Sequence, residues 1–199
     1  MTFPTTIWTT IHKAGADDPE ALQRFAERYR QPVLRFIQRK GFPSHDAEDI
    51  CQDVFLRLFS GRTLTRADAK KGRFRSLMLA VATHVIQDRL RKRPVITSDK
   101  LEPAERDEEF DQEWILALAE RALVLLREQG SRYYAVMRGH LEGKPQDRNK
   151  LWIARKKLTA LIRHEVAFTC GTHEEFEEEI TYLSRYLRPD KRTVTLEKK

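Results

Sequence analysis

Along most of this chain apolar residues return every three or four positions, the spacing of helices that bury one side, and no stretch alternates as a strand would. The sharpest stripe is Phe74, Leu77, Met78, Val81, Ala82, Val85 and Ile86. It predicts an amphipathic helix between Gly72 and Pro94, where proline ends it by removing an N–H and restricting the residue before it. Arg73, Arg75, Thr83, His84, Gln87 and Arg91 fall to its exposed side.

The same rule sets out the neighbours. Ile7, Trp8 and Ile11 predict a short first helix within Thr5 to Gly15. Asp17-Asp18-Pro19-Glu20 is a helix start, with acids and proline in the first turn. The helix that follows, Ala21 to Lys40, has Leu22, Phe25, Ala26, Tyr29, Val33, Phe36 and Ile37 as its stripe, and Pro32 is expected to bend or break it. Ser44 can cap the next helix, whose inner face is Ala47, Ile50, Cys51, Val54, Phe55, Leu58 and Phe59 and whose outer face shows Asp49, Gln52, Asp53 and Arg57. Gly61 to Lys71 is a polar connector. Val95 to Asp107 has two prolines and no period, so it predicts a linker. Helices are then expected over Phe110–Gln129, Tyr133–Leu141, Gln146–Phe168 and His173–Leu187. The fold class is all-α: two small helical domains, residues 1–94 and 110–188, joined by an acidic linker, 95–109, with a tail over 189–199.

Charge adds direction to this outline. The 199 residues carry a formal charge of +7, more than solubility asks for, which favours a polyanionic partner. Its placement matters more than its sum. Ten Lys/Arg stand against two Asp between Arg62 and Arg93, and seven against one between Lys144 and Arg163, while Asp99 to Glu113 holds eight acids and two bases. Cations in the last turn of a helix suit its dipole, which explains part of Arg89, Arg91, Lys92 and Arg93 but not the excess. A helix with cations and hydrogen-bond donors on one side and a core face on the other suits nucleic acid.

Other chemistries find little support. Cys51 and Cys170 are the only cysteines and lack metal-like spacing. The histidines His12, His45, His84, His140, His164 and His173 show no paired ligand spacing, and His173 beside Glu174 and Glu175 reads as a helix start. No nucleophile motif or phosphate-cradling glycine loop is present, so no enzyme, metal or cofactor is expected. The absence of a membrane-length apolar run and of a signal-peptide pattern gives the expectation of a cytoplasmic protein with no membrane contact.

Three runs in order, FAERYRQPVLRFIQRKG, DAEDICQDVFLRLF and GRFRSLMLAVATHVIQDRLRKR, resemble the second conserved region of bacterial sigma factors of the extracytoplasmic-function class, over about Ala21 to Arg93. The resemblance implies that Asp46, Asp49, Gln52, Asp53 and Arg57 dock on the clamp helices of the polymerase β′ subunit. An acidic and amide-bearing face suits a basic partner. It also implies that the connector and helix from Arg62 to Arg93 hold melted minus-ten DNA, through Arg62, Arg66, Lys70, Lys71, Arg73, Arg75, Thr83, His84, Gln87 and Arg91. Opening a strand requires a pocket for an unstacked base and cations that follow the phosphates. Phe74 could stack on such a base, but helical spacing favours the core. His84 stands where the family commonly has asparagine and Leu77 where it often has tryptophan, two departures from the family pattern on the helix that would meet promoter bases.

DQEWILALAERALVLLREQ and ARKKLTALIRHEVAFT resemble the first helix of the family's fourth region and the tail of its recognition helix. Between them roughly a dozen residues, about one helix and its turn, are absent relative to the family pattern. Lys150, Arg155, Lys156 and Lys157 can still touch DNA phosphates. The resemblance therefore implies a non-enzymatic sigma factor with core polymerase (β′ clamp helices, β flap) and promoter DNA as partners, and with room for an anti-sigma factor. The competing expectation is a sigma-derived adaptor that binds polymerase but is brought to DNA by a partner protein.

Overall fold

A computed structural model describes residues 19–60, 73–91 and 107–187, and among them the secondary structure is entirely helical. The first helix predicted at Thr5–Gly15, the connector 61–71, most of the linker and the tail lie outside the described residues. Seven helices are described: α1 Pro19–Arg39, α2 Ser44–Ser60, α3 Phe74–Leu90, α4 Glu108–Glu128, α5 Arg132–Leu141, α6 Arg148–Ala167 and α7 His173–Leu187.

Pro32 does not break α1, which runs unbroken for 21 residues. A proline inside a helix costs about 3 kcal/mol, whereas a fully buried large apolar side chain returns about 1.5–3 kcal/mol. Phe25, Tyr29, Val33, Phe36 and Ile37 are all buried along α1, so the stripe outweighs the proline. The stops follow local chemistry. Gly41, Gly130 and Gly143 take positive φ just beyond α1, α4 and α5, a conformation glycine adopts at little cost. Asp107 caps α4 by accepting from the N–H groups of Glu109 and Phe110, and Asp147 caps α6 through Lys150 N–H at 2.8 Å.

Helices from both halves of the chain share one core. Phe25 and Tyr29 of α1 pack on Phe74 of α3, and Tyr29 stacks on Trp114 of α4 with ring centres 5.4 Å apart. Phe36 meets Phe110 edge-on at 5.2 Å. Ile162, Val166, Cys170, Phe176 and Leu183 extend the same core into α6 and α7. A smaller cluster of Leu126, Met137 and Ala154 holds α4, α5 and α6 together at the far end.

Acids of α4 meet cations from the later half of α1 and just beyond it. Arg35 pairs with Glu120, Arg39 with Glu113, and Lys40 with Asp107 and Glu109, at 2.5 to 2.9 Å. Residue numbers rise along α1 as they fall along α4, so the two helices run antiparallel. The acidic stretch at the start of α4 therefore serves the basic end of α1.

Candidate nucleic-acid interface

On α2 the inner face is as expected: Ala47, Ile50, Cys51, Val54, Phe55 and Leu58 are buried. Gln52 and Asp53 are exposed, and Asp46 and Asp49 are half-buried. They share one side with Leu56, which is also exposed. Arg57 differs from the other four. Its guanidinium lies 2.9 Å from Asp88 of α3 and only a tenth of its side chain is exposed, so it fastens α2 to α3.

On α3 the predicted side chains separate into two groups. Thr83, His84, Gln87 and Arg91 lie on the last turns, half-buried or exposed, with His84 Nε2 at 3.3 Å from Asp88. Arg73 and Arg75 at the other end are engaged. Arg75 was expected on the exposed side; it is 3% exposed, which corrects that expectation. Its Nε donates to Glu179 of α7 at 2.7 Å, and one terminal nitrogen donates to Asp111 of α4. Its guanidinium also lies over the Tyr182 ring, 4.7 Å from the centre. Arg73 pairs with Glu178 at 2.7 Å and with Glu179 at 3.3 Å. Phe74, between them, is wholly buried and belongs to the core.

Burial alone would lower the Arg75 pKa, but the carboxylates of Glu179 and Asp111 raise it above the ordinary value, so the cation is held firmly. Burial, together with Asp111, raises the Tyr182 hydroxyl well above its usual range, and that hydroxyl donates to Asp111. Tyr186 donates to the same oxygen at 3.3 Å. Asp111, Glu179 and Tyr182 were not among the expected functional residues. A signal existed in the pattern: Asp111 is three before Trp114 and seven before Leu118, and Glu179 lies between Phe176 and Leu183, both in phase with buried positions. Arg75 is likewise in phase with Leu79, Ala82 and Ile86, all buried.

Arg62, Arg66, Lys70 and Lys71 lie outside the described residues. In the second half α6 is one helix of 20 residues, as its period predicted. Lys150, Arg155, Lys156 and Lys157 are exposed on it. Lys156 Nζ sits 3.9 Å above the ring of Trp152, itself 58% exposed, and Arg155 contacts His140 at 2.9 Å. Residues 142–147 separate α5 from α6, longer than the three- or four-residue turn of a helix-turn-helix.

An outer helix face of acids and amides, beside a helix with donors and cations at its end, can dock a basic protein surface and meet phosphates. Residues 25–94, nearly all of α1 with α2 and α3, match the family model of sigma-70 region 2. The chain carries a sigma-70 region 2. The match covers 70 of the 199 residues and supports a place for the chain among sigma-70 factors, which serve promoter recognition and transcription initiation. No curated protein and no solved structure matches the chain. Region 2 here ends near Pro94, so the acids that engage Arg73 and Arg75 come from outside the matched part. Among the described residues no helix is long and apolar enough to cross a membrane, and no group of three His, Cys, Asp or Glu could hold a metal ion.

Proposed function

We propose that the protein is a sigma factor of the extracytoplasmic-function class, a non-enzymatic subunit that directs core polymerase to promoters and helps melt them. The observation that carries this is the region 2 match over residues 25–94, combined with an α2 whose outer face offers Asp46, Asp49, Gln52 and Asp53 to a partner. In this reading those four residues meet the β′ clamp helices, and Arg57 positions α2 through Asp88. Thr83, His84, Gln87 and Arg91 line the side of α3 that faces opened DNA. The test is transcription from genomic fragments by core polymerase with and without the purified chain. Start sites that appear only with the chain, and vanish on Gln87→Ala/Arg91→Ala, support it; no chain-dependent start sites would refute it.

A second reading, a sigma-derived adaptor, is favoured by one observation. The segment between α5 and α6 lacks the short turn of a helix-turn-helix, and the cations of α6 lie along a single unbroken helix. Such a surface attracts phosphates without reading bases. In this reading the chain binds polymerase, and a partner protein supplies the upstream specificity. Selection of a defined upstream motif from a duplex library by the full chain decides for the first reading; its absence, with polymerase binding intact, decides for the second.

A further inference from the structure

Five glutamates fall in the first two turns of α7: Glu174, Glu175, Glu177, Glu178 and Glu179. Glu175 turns back to accept from Gly171 N–H at 2.7 Å, and Glu177 pairs with Arg163 at 3.1 Å. Glu178 and Glu179 instead face α3, where with Asp111 they surround Arg73 and Arg75. Their carboxylates offer the guanidinium groups the same paired oxygen acceptors that phosphates would. Three carboxylates stand around two guanidiniums, so this site repels a polyanion while α7 is in place.

The contact is also suited to opening. Glu178 lies at its rim with its side chain 64% exposed, where a phosphate can reach Arg73 first. Among the described residues, Glu179 Oε2 is buried without a hydrogen bond and meets Arg73 at 3.3 Å. Among the described side chains, Phe176, Tyr182 and Leu183 are the buried apolar anchors of α7, fewer than those of α1 or α3. We propose that α7 is a built-in substitute for nucleic acid: it occupies the arginines at the start of α3, and promoter DNA must displace it to use them. This rests on the reading of α3 as the helix that faces opened DNA.

The experiment measures binding of the full chain to a fluorescent single-stranded oligothymidine and to a duplex with an open bubble. Glu178→Lys/Glu179→Gln should bind at least about tenfold tighter, and its salt slope should steepen by about 1.4, for two more phosphates at ~0.7 each on a single strand. Glu174→Lys/Glu177→Gln makes the same change in charge away from Arg73 and Arg75, at the pair with Arg163, and should gain much less. In the wild type, bound DNA should speed amide hydrogen exchange across 173–187, a readout independent of any variant's folding. Equal gains from the two double variants, or no gain from the first in a chain that keeps its helicity, overturn the proposal, as does α7 exchange that DNA leaves unchanged. Affinity that falls on Gln87→Ala/Arg91→Ala but ignores Glu178 and Glu179 overturns the proposal alone. Affinity indifferent to all four positions overturns the reading of α3 beneath it.

Discussion

The two ends of α3 carry arginines under opposite conditions. At the start, Arg73 and Arg75 are enclosed by carboxylates from α4 and α7; at the end, Arg91 and the polar residues Thr83, His84 and Gln87 look outward. Both ends belong to one 17-residue helix within region 2. What separates them is the chain that packs on each. A cation's availability is therefore a tertiary property: a basic stretch in sequence counts charges without saying which of them are already neutralised.

The sharpest test of that difference is stability. Arg75→Ala would leave Asp111 and Glu179 buried without their cation, and breaking such a pair costs about 3–5 kcal/mol. Arg91→Ala, at an exposed site, should stay within about 0.5 kcal/mol of wild type. Urea unfolding followed by circular dichroism measures both. Equal midpoints for the two variants would erase the distinction between the ends.

The same contrast operates across α2, where Arg57 is engaged and Asp53 is open. Asp49→Arg/Asp53→Arg should weaken core polymerase binding at least about 100-fold, equivalent to about 2.7 kcal/mol, with helicity unchanged. Arg57→Ala should instead lower stability by about 2 kcal/mol through the loss of a charged hydrogen bond to Asp88. Titration of labelled polymerase and urea unfolding separate the two effects. A folded Asp49/Asp53 variant that binds normally would remove α2 as the docking face.

Periodicity made the helices legible because each buries a continuous stripe, and the single helix α6 emerged from an apolar period uninterrupted by Gly or Pro. The fate of Pro32 was not legible, since it depends on how much burial Phe25 through Ile37 obtain from α4, a partner dozens of residues away. For the candidate site, the exposed end of α3 and the open face of α2 could be read from spacing. The phase of Arg75 with Leu79, Ala82 and Ile86 pointed inward, but its partners could not be read, because Asp111 and Glu179 are 36 and 104 positions distant. Acids in phase with buried residues hinted at hidden cations, but no local rule says which cation each one takes.

A smaller effect would sharpen the proposed opening at the start of α3. Burial raises the thiol of Cys51 to about 11 and that of Cys170 to about 12, so neither should react with a thiol reagent at pH 8 in the folded chain. Their positions differ. Cys51 lies inside region 2 on α2, whereas Cys170 lies at the junction of α6 and α7. Glu178→Lys/Glu179→Gln should speed labelling of Cys170 about tenfold, equivalent to about 1.4 kcal/mol of local opening, with Cys51 unchanged. Both cysteines accelerating together would mean that the whole core loosens and that α7 does not move separately.

The gentlest test concerns another acid from beyond region 2 that serves a cation within it, this time at the surface. Asp107 caps α4 and meets Lys40 of the α1 end at 2.9 Å. Burial alone would raise its carboxyl pKa, but the bond from Lys40 and the N–H groups of Phe110 and Glu109 outweigh it and hold the carboxyl below its ordinary value. A carboxyl depressed on folding stabilises the native state above its unfolded pKa, near 4, and that contribution is lost as pH falls through the folded value. Asp107→Ala should therefore cost about 1 kcal/mol at neutral pH, the usual worth of a side-chain cap. The gap between variant and wild type should close as pH drops below about 4. Arg75→Ala serves as the buried reference in the same urea series. A gap for Asp107→Ala that is as wide at pH 3 as at pH 7 would mean that the charge on Asp107 contributes nothing to the junction of α1 and α4.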